Sequence, residues 1–326
     1  MRYNGQQAIT TTERKQNPAL ILPTLVGEAG AAAGFAWEEF FLGRLRNGYT
    51  RRAYLHAVRH FLHWAEQYQV DLNRITPGLM GQYFDELTIT TPSKKVYLSG
   101  IRAFFDVLVE RHVVVLNPAR SVRTERFSAI EGRTPEITVA QARNLMASIK
   151  IKSVVDLRDR ALIATLIYTA ARAGAVAKLR AKDFVNEGTQ FVLKFSEKGG
   201  KARTIPVRAD LQAFLQEYIH VAQAETGPSD LPLFRTVDGR KPELSTRAMN
   251  GVDICRMVKR RLQAAGLPTI ISPHSFRACA ATDLLLQGVA LEDVQYLLGH
   301  SDSRVTKLYD RRQKQVTRNI VERISV

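Results

Sequence analysis

Two amphipathic stretches in the first third of the chain constrain the fold more than any other feature. Residues 49–68 read YTRRAYLHAVRHFLHWAEQY and residues 93–112 read SKKVYLSGIRAFFDVLVERH. In both, apolar side chains recur three and four positions apart, which places them along one face of an α-helix. Such a face has to be buried, so we predict two helices of a small bundle with basic residues on its outer surface. Thr50 is the predicted N-cap of the first helix.

The second half of the chain is also mostly helical in pattern, with one interruption. Residues 190–207 (QFVLKFSEKGGKARTIPV) alternate apolar and polar side chains on both sides of a Gly-Gly turn, which predicts a β-hairpin. Helical patterns surround it: TVAQARNLMASI, capped by Thr138, precedes it, and STRAMNGVDICRMVKRRLQAAG and RACAATDLLLQG follow. The sequence therefore predicts a mainly α fold with one small β-hairpin.

The chain suits two domains, because 326 residues are many for a single hydrophobic core. Residues 1–35 are rich in Thr, Gly and Ala with weak periodicity, and we interpret them as a tail or loosely docked arm. A helical domain is predicted over 36–116. Residues 117–136 begin with Asn-Pro, have no apolar period and carry several arginines, which is typical of a linker. The second domain covers 137–326.

Charge and cysteine content limit the possible partners. Lys and Arg outnumber Asp and Glu by 47 to 31, and both halves of the chain are positive, which indicates a polyanion such as nucleic acid. A solvated basic surface is the alternative. Cys255 and Cys279 lack metal-ligand spacing, so we expect no disulfide framework and a reducing, cytoplasmic location. No apolar run reaches membrane-spanning length, and the N-terminus lacks the apolar core of a signal peptide.

Six side chains of the second half form a set that suits phosphodiester chemistry. They are Arg172 in YTAARAGAVAKL, Lys198 beside the Gly-Gly turn, His274 and Arg277 in SPHSFR, and His300 and Tyr309 in LLGHSDSRVTKLYDR. Because no carboxylate or thiolate joins them, they would make a poor metal site. A phosphate is a better ligand for them. A guanidinium can donate two parallel hydrogen bonds to phosphate oxygens, lysine can donate a proton and tyrosine can attack phosphorus.

The motifs AAR, EKGGKAR…IPV, HSFR, LLGH and TKLY, in this order, resemble the tyrosine recombinase (phage integrase) family, in particular its simple Cre and Xer type. The resemblance covers roughly residues 36–326. It implies a site-specific recombinase that cuts and rejoins duplex DNA through a 3′-phosphotyrosine and a Holliday junction, as a homotetramer on two DNA sites and without metal or cofactor. It also implies a two-domain, C-shaped DNA clamp: a helical core-binding domain, and a mainly α catalytic domain with a small β-hairpin.

Carried over position by position, the resemblance gives the six side chains their roles. Tyr309 attacks the phosphorus, and its polar, basic surroundings predict a phenol that faces the DNA backbone. Arg172 and Arg277 hold the non-bridging oxygens and stabilise the transition state. His274 handles the proton of the tyrosine, and His300 donates a hydrogen bond to the phosphate.

Lys198 protonates the leaving 5′-oxygen in this scheme, with Lys201 as its rival. The sequence departs from the family three residues after Arg172, where an acidic residue usually braces the catalytic groups and Ala175 stands here. That change weakens the predicted orientation of Arg172, but the six residues are complete and we expect an active enzyme. Ala278, where many relatives have histidine, is a minor difference.

Basic residues of the predicted helices, linker and hairpin are candidates for contacts with DNA phosphates. These candidates are Arg51, Arg52, Arg59, Lys94, Lys95, Arg102, Arg120, Arg123 and Lys201. His56, His60 and His63 share one helix face at a spacing that could bind zinc, but no fourth ligand joins them nearby. We therefore interpret them as part of a DNA-facing or solvated surface.

Two other functions use some of the same features. A type IB topoisomerase-like enzyme shares the chemistry but acts as a monomer, and a DNA-binding regulator could have lost the chemistry altogether. The complete set of six residues argues against the regulator. The segment after Tyr309 places Val316, Ile320, Val321 and Ile324 on one helical stripe, which predicts a docking helix over 311–326 and favours the recombinase.

Overall fold

The computed structural model describes residues 21–125, 134–135, 137–196, 202–226, 230–239, 243–300 and 302–309. The chain divides into two units, Met1–Ser128 and Ala129–Val326, each with its own buried core. None of the helices in the described ranges has the length and apolar content that crossing a membrane requires.

The first unit is helical throughout its described part. Its helices are α1 (Thr24–Glu28), α2 (Ala31–Glu38), α3 (Gly48–Glu66), α4 (Pro77–Glu86) and α5 (Thr91–Glu110). A π-helical segment, Glu39–Arg44, continues α2, and a short 3-10 turn, Leu72–Arg74, precedes α4. The two helices predicted from the amphipathic stretches are confirmed as α3 and α5.

Helices α3 and α5 pack closely because a glycine lies where they cross. A Cβ atom added to Gly100 would lie 3.0 Å from the ring of Tyr54 and 3.2 Å from its Cα. The predicted N-cap of α3 was wrong: the side-chain oxygen of Asn47 accepts hydrogen bonds from the backbone nitrogens of Tyr49 (2.9 Å) and Thr50 (3.2 Å). Asparagine caps well because its short side chain reaches these otherwise unbonded donors.

The prediction of a tail over residues 1–35 was wrong for its last part. Residues 24–28 and 31–38 are helical, and Val26, Ala33 and Trp37 are fully buried in the core of the first unit. Alanines bury little area each, so this stretch lacks the strong apolar stripe by which sequence periodicity identifies a helix. Residues 1–20 lie outside the described range.

The predicted linker also begins inside the first unit. The side-chain nitrogen of Asn117 donates to the carbonyl of Arg102 (2.9 Å) and to Oδ1 of Asp106 (2.7 Å), and Ala119 is buried. Residues 117–119 therefore belong to the helical unit, because burial and hydrogen bonds hold them against α5. Residues 126–133 and 136 are outside the described ranges.

The second unit combines helices with two small antiparallel sheets. Its helices are α6 (Val139–Ser148), α7 (Val154–Thr169), α8 (Ala173–Val176), α9 (Ala209–Thr226), α10 (Gly251–Ala264), α11 (Pro273–Leu286), α12 (Leu291–Leu298) and α13 (Ser303–Lys307). Thr138 caps α6 as predicted, in a reciprocal capping box with Gln141. Helix α7 is buried on nearly all sides and ends at Thr169, three residues before Arg172.

The predicted hairpin is present as β2 (Phe191–Ser196) and β3 (Ala202–Pro206), and its turn lies outside the described residues. A third strand that the sequence analysis missed, β1 (Phe184–Asn186), pairs with β2. The expectation of a single β interruption was wrong. Strands β4 (Arg235–Val237) and β5 (Leu244–Ala248) form a second sheet, in a region partly predicted as helix. Asn250 caps α10, so the helix cannot include the preceding residues.

Candidate active site

Five of the six predicted side chains come from separate segments of the second unit. Arg172 immediately precedes α8, and His274 and Arg277 are the second and fifth residues of α11. His300 follows the end of α12, and Tyr309 follows α13. The sixth, Lys198, and its rival Lys201 lie outside the described residues.

Arg277 is buried, with 1% of its surface exposed, and it joins two helix ends. Its Nη1 donates to the carbonyl of Ala170 (2.7 Å), just past the end of α7, and its Nη2 donates to the carbonyl of Leu298 (2.5 Å), the last residue of α12. Ala170 has a left-handed φ of 49°, and Gly299 one of 61°. Because the last carbonyls of a helix lack partners and carry partial negative charge, a guanidinium satisfies both ends.

Tyr309 lies against His274. Its hydroxyl oxygen is 3.4 Å from Nε2 of His274. Most of its ring is buried, because Tyr309 is only 8% exposed and belongs to a buried cluster with Ala170, Ala281 and Leu298; that its hydroxyl meets the DNA backbone stays a prediction. The small alanine side chains leave room for the ring, so apolar neighbours from distant segments bury a tyrosine whose own segment is polar.

His300 is held by contacts with the segment that carries Tyr309. Its Nδ1 lies 2.9 Å from Oγ1 of Thr306, and its ring lies nearly parallel to that of Tyr309, at 14° with centroids 6.1 Å apart. Its backbone is fixed as well, because its nitrogen donates to the carbonyl of Gln295 (3.1 Å) and its carbonyl accepts from the side-chain nitrogen of Gln295 (3.0 Å).

Both imidazoles of the site lie in positive surroundings. Burial, followed by the charges of Arg277, Arg172, His274 and Arg203, lowers the pKa of His300 to about 4. Burial and the two arginines Arg277 and Arg172 also lower the pKa of His274. At neutral pH both side chains are therefore uncharged, and either can accept a proton or hydrogen-bond a phosphate.

Arg172 differs from Arg277 in its surroundings. Its side chain is exposed and forms no hydrogen bond or ion pair with any residue that the structure describes. Ala175, where the resemblance leads one to expect an acid, packs partly buried against the core of the second unit. The guanidinium of Arg172 is therefore accessible to a ligand, and no side chain at position 175 can brace it.

Several predicted DNA contacts are engaged within the first unit. Arg51, Arg59, Lys94 and Arg102 each donate to a backbone carbonyl of their own unit, with shortest distances of 2.7, 2.6, 2.8 and 2.9 Å. Long basic side chains commonly cover apolar surface with their stems while their charged groups bind loop carbonyls. A role in DNA binding for these four remains a prediction.

The other candidates lie at the surface. Arg52, Lys95, Arg120 and Arg123 are exposed, and the guanidinium of Arg52 lies over the ring of Tyr49, 5.4 Å from its centre. Arg123 donates to the carbonyls of residues 120–122.

The three histidines of α3 are on the surface of the first unit. Nδ1 of His60 lies 2.9 Å from the hydroxyl of Tyr83, and the rings of His56 and His60 are 6.3 Å apart. Within the described ranges, no group of three or more His, Cys, Asp and Glu side chains is arranged to hold a metal ion.

Sequence reasoning missed two groups of residues. Arg256, Lys259 and Arg260 are exposed on α10, opposite its buried apolar stripe, and the amphipathic pattern of that helix could have identified them. Thr306 was missed because a single threonine in a polar segment carries no signal of its own.

Comparisons with known proteins agree with the resemblance seen in the motifs. Residues 135–316 match the phage integrase family, and residues 37–112 match the N-terminal SAM-like domain of phage integrases. The chain is 28% identical over 264 residues to tyrosine recombinase XerC of Leptospira interrogans, covering 80% of this chain and 82% of the relative. It is 27% identical over 263 residues to tyrosine recombinase XerD of Pseudomonas aeruginosa, covering 80% and 85%.

Solved structures share the fold. The XerH site-specific recombinase bound to a palindromic difH substrate, in a post-cleavage complex, aligns with a TM-score of 0.70 at 18% identity, over 98% of this chain and 91% of that one. A lambda integrase tetramer bound to a Holliday junction aligns with a TM-score of 0.58 at 16% identity, over 92% and 84%. The mainly helical fold with small antiparallel sheets is therefore that of these proteins.

Proposed function

Since the chain belongs to the phage integrase family and is a tyrosine-type site-specific DNA recombinase, we propose that Tyr309 is the nucleophile that cuts duplex DNA. Its phenol oxygen attacks the phosphorus, the bond to the 5′-oxygen breaks, and a 3′-phosphotyrosine and a free 5′-hydroxyl result. Attack by a 5′-hydroxyl of another strand reverses the step and rejoins the DNA. The observation that carries this assignment is the 3.4 Å approach of the phenol to Nε2 of His274.

His274 is the general base of this proposal. Its lowered pKa keeps the imidazole neutral at neutral pH, and in the tautomer with its proton on Nδ1 the Nε2 atom can accept the phenol proton as the P–O bond forms. No described carboxylate is among the groups that shift the pKa of His274 or His300, and the positive charge around them favours a phenolate as it develops.

Arg172 and Arg277 hold the non-bridging phosphate oxygens. The carbonyls of Ala170 and Leu298 hold the guanidinium of Arg277 in a fixed orientation, and a guanidinium has five N–H groups with which to bind acceptors. The exposed Arg172 meets the phosphate from the solvent side. Both stabilise the charge that accumulates on the oxygens in the transition state.

Lys198, whose position lies in the chain between β2 and β3, protonates the leaving 5′-oxygen, and His300 donates a hydrogen bond to the phosphate. The chemistry needs no cofactor in this scheme, because phosphate contacts, base and acid are all side chains of the chain.

The larger assembly is part of the same proposal. The solved lambda integrase tetramer on a Holliday junction and the XerH complex with its DNA substrate support a homotetramer that acts on two DNA sites through a Holliday junction. The two units would then be a core-binding domain and a catalytic domain that form a clamp around DNA in the cytoplasm, at the nucleoid. Residues 311–326 lie outside the described ranges, and their proposed role is that of a helix that docks into a neighbouring protomer.

Phosphate contacts by the first unit are proposed for its exposed basic residues, Arg52, Lys95, Arg120 and Arg123. Contacts of DNA with Arg51, Arg59, Lys94, Arg102 and Arg123 require that the phosphates displace the carbonyls to which these side chains donate. On the second unit, Lys201 and the exposed basic side chains of α10 complete the positive surface that we propose for DNA.

The test begins with the target site, which is found by sequencing DNA that becomes covalently attached to the wild-type protein. A nicked substrate carrying that site should then trap the wild type at a 3′ end. Tyr309→Phe should bind the same DNA with similar affinity and form no adduct, because the phenol oxygen is the nucleophile while the cations supply the affinity. A normal adduct from Tyr309→Phe would show that another residue attacks.

A plasmid with two copies of the site separates the remaining candidate functions. A recombinase exchanges the segments between the sites, whereas a topoisomerase-like enzyme relaxes the plasmid without exchange. A protein that binds the site and forms no adduct would be a regulator.

A further inference from the structure

Thr306 lies between the two parts of the candidate site that follow α12. It is on α13, three residues before Tyr309, and its surface is 0% exposed. Its hydroxyl oxygen is 2.9 Å from Nδ1 of His300, and its carbonyl accepts a hydrogen bond from the backbone nitrogen of Tyr309 (3.0 Å). One buried residue therefore contacts both the imidazole and the backbone of the proposed nucleophile.

The orientation of the His300 ring depends on this hydroxyl. Gln295 fixes only the backbone of His300, through hydrogen bonds to its nitrogen and carbonyl. Among the residues that the structure describes, the Thr306 hydroxyl is the hydrogen-bond partner of the imidazole, and the parallel ring of Tyr309 restricts the imidazole plane.

We infer that Thr306 is a positioning residue, whose hydroxyl donates a hydrogen bond to Nδ1 of His300 and so keeps the single N–H proton of the neutral imidazole on Nε2. This inference rests on the proposed role of His300 as a donor to the phosphate. A neutral imidazole has one N–H and one acceptor nitrogen, so a donor at Nδ1 fixes the proton on Nε2. Phosphate oxygens only accept hydrogen bonds, so Nε2 is useful to the phosphate only when it carries the proton.

The charges around His300 explain why the neutral ring has to carry its proton on Nε2. The groups whose charges act on it are the cations Arg277, Arg172 and Arg203 and the neighbouring His274, and with burial they disfavour the imidazolium. The other way to place a hydrogen on Nε2, full protonation, is therefore not available at neutral pH in the DNA-free protein. Donation by Thr306 supplies the same N–H on a neutral ring.

A direct test needs no substitution. In wild-type protein with 15N-labelled histidine, the imidazole shifts of His300, assigned by comparison with His300→Ala, report which nitrogen carries the proton. We expect a neutral ring with the proton on Nε2 at pH 7. A proton on Nδ1, or an equal mixture of the two tautomers, would overturn the inference.

The kinetic test compares matched variants. Thr306→Val keeps the shape and removes the hydroxyl, and Thr306→Ser keeps the hydroxyl. Thr165→Val is the control, because Thr165 is also fully buried but donates to the carbonyl of Ala161 (2.8 Å), outside the site. In single-turnover cleavage at pH 8 we expect Thr306→Val to be slower by about tenfold, the cost of one lost hydrogen bond. Thr306→Ser and Thr165→Val should stay close to the wild type.

The pH profile separates positioning from general damage. Because an imidazolium carries a proton on Nε2 whatever its partner, the rate of Thr306→Val relative to the wild type should rise as the pH falls from 8 toward the His300 pKa of about 4. Taking the ratio cancels effects that both proteins share, such as protonation of His274. A ratio that stays constant with pH would mean that Thr306 acts only on packing, contrary to the inference.

A double variant distinguishes failure of this inference from failure of the proposed function. If His300→Ala cleaves at the wild-type rate, the proposed role of His300 is wrong. If His300→Ala is slow and Thr306→Val slows it further by the same factor as in the wild type, His300 matters but Thr306 does not act through it. We expect Thr306→Val to have little effect once His300 is absent.

Discussion

Asp159 holds together a buried group of charges in the second unit, and its replacement by asparagine should strongly destabilise that unit. The carboxylate is 0% exposed. One oxygen accepts from Arg158 at 3.0 and 2.6 Å, and the other accepts from Arg260 (2.7 Å) and Arg261 (2.8 Å). Asparagine keeps only one acceptor oxygen, and its NH2 group would face the N–H groups of the arginines. At least one of these arginines therefore loses its hydrogen-bond acceptor.

The size of the effect follows from the burial of each arginine. Arg260 is 58% exposed and can replace the contact with water, whereas Arg158 is 2% exposed and cannot. Removing one partner of a buried ion pair costs roughly 3–5 kcal/mol. In a unit of this size, each kcal/mol lowers Tm by about 2–4 °C, so Asp159→Asn should lower the Tm of the second unit by about 10 °C.

The two tryptophans of the chain make the assay specific, because Trp37 and Trp64 both lie in the first unit. Thermal unfolding of the full chain is followed by far-ultraviolet circular dichroism for both units and by tryptophan fluorescence for the first. Asp159→Asn should shift a circular dichroism transition and leave the fluorescence transition in place. The control is Asp230→Asn, since Asp230 pairs with Arg180 and Lys182 at the exposed surface and should matter little. Equal Tm values for the two variants would refute the reasoning.

Three further predictions concern the reaction. Arg172→Ala and Arg277→Ala should each cleave ~10²–10³-fold more slowly, as expected for loss of one transition-state donor, with a much smaller change in DNA affinity measured in the same buffer. Lys198→Ala should be rescued by a substrate whose bridging 5′-oxygen is sulfur, because a thiolate leaves without a proton; rescue of Lys201→Ala instead would move the role there. A chain that ends at Gln315 should bind single sites normally on native gels but fail in the two-site plasmid assay, and efficient recombination by it would contradict docking in trans.

Sequence patterns predicted the parts of the fold whose signal is local. The apolar stripes of α3 and α5 and the alternation around the β2–β3 turn each lie within one stretch of chain, so periodicity alone identified them. Strand β5 and helix α2 were missed for the opposite reason. The first is stabilised by pairing with β4, and the second by burial of Trp37 among residues from other helices.

The candidate site was also predictable only in part: the motifs predicted which residues form it, but not what surrounds them. The identities of Arg172, His274, Arg277, His300 and Tyr309 were evident from motifs, because each chemical group has a recognisable position in the chain. Their environments were not, since the burial of Tyr309 and the Thr306–His300 contact depend on which segments fold against each other. Sequence also could not show that Arg59 and Lys94 donate to carbonyls of their own unit, because those acceptors lie 38 and 10 positions away.

The contacts of Arg277 affect how any measurement at that position is interpreted. Its guanidinium bridges the carbonyls of Ala170 and Leu298, which lie two residues before Arg172 and two residues before His300. A rate lost on removing Arg277 would therefore combine two losses, that of a positive charge and that of the connection between two loops. Lysine keeps the charge but cannot match the planar fork that spans two acceptors. The difference in cleavage rate between Arg277→Lys and Arg277→Ala would measure the contribution of the positive charge. The part of the wild-type rate that Arg277→Lys does not recover would measure the contribution of the connection between the two loops.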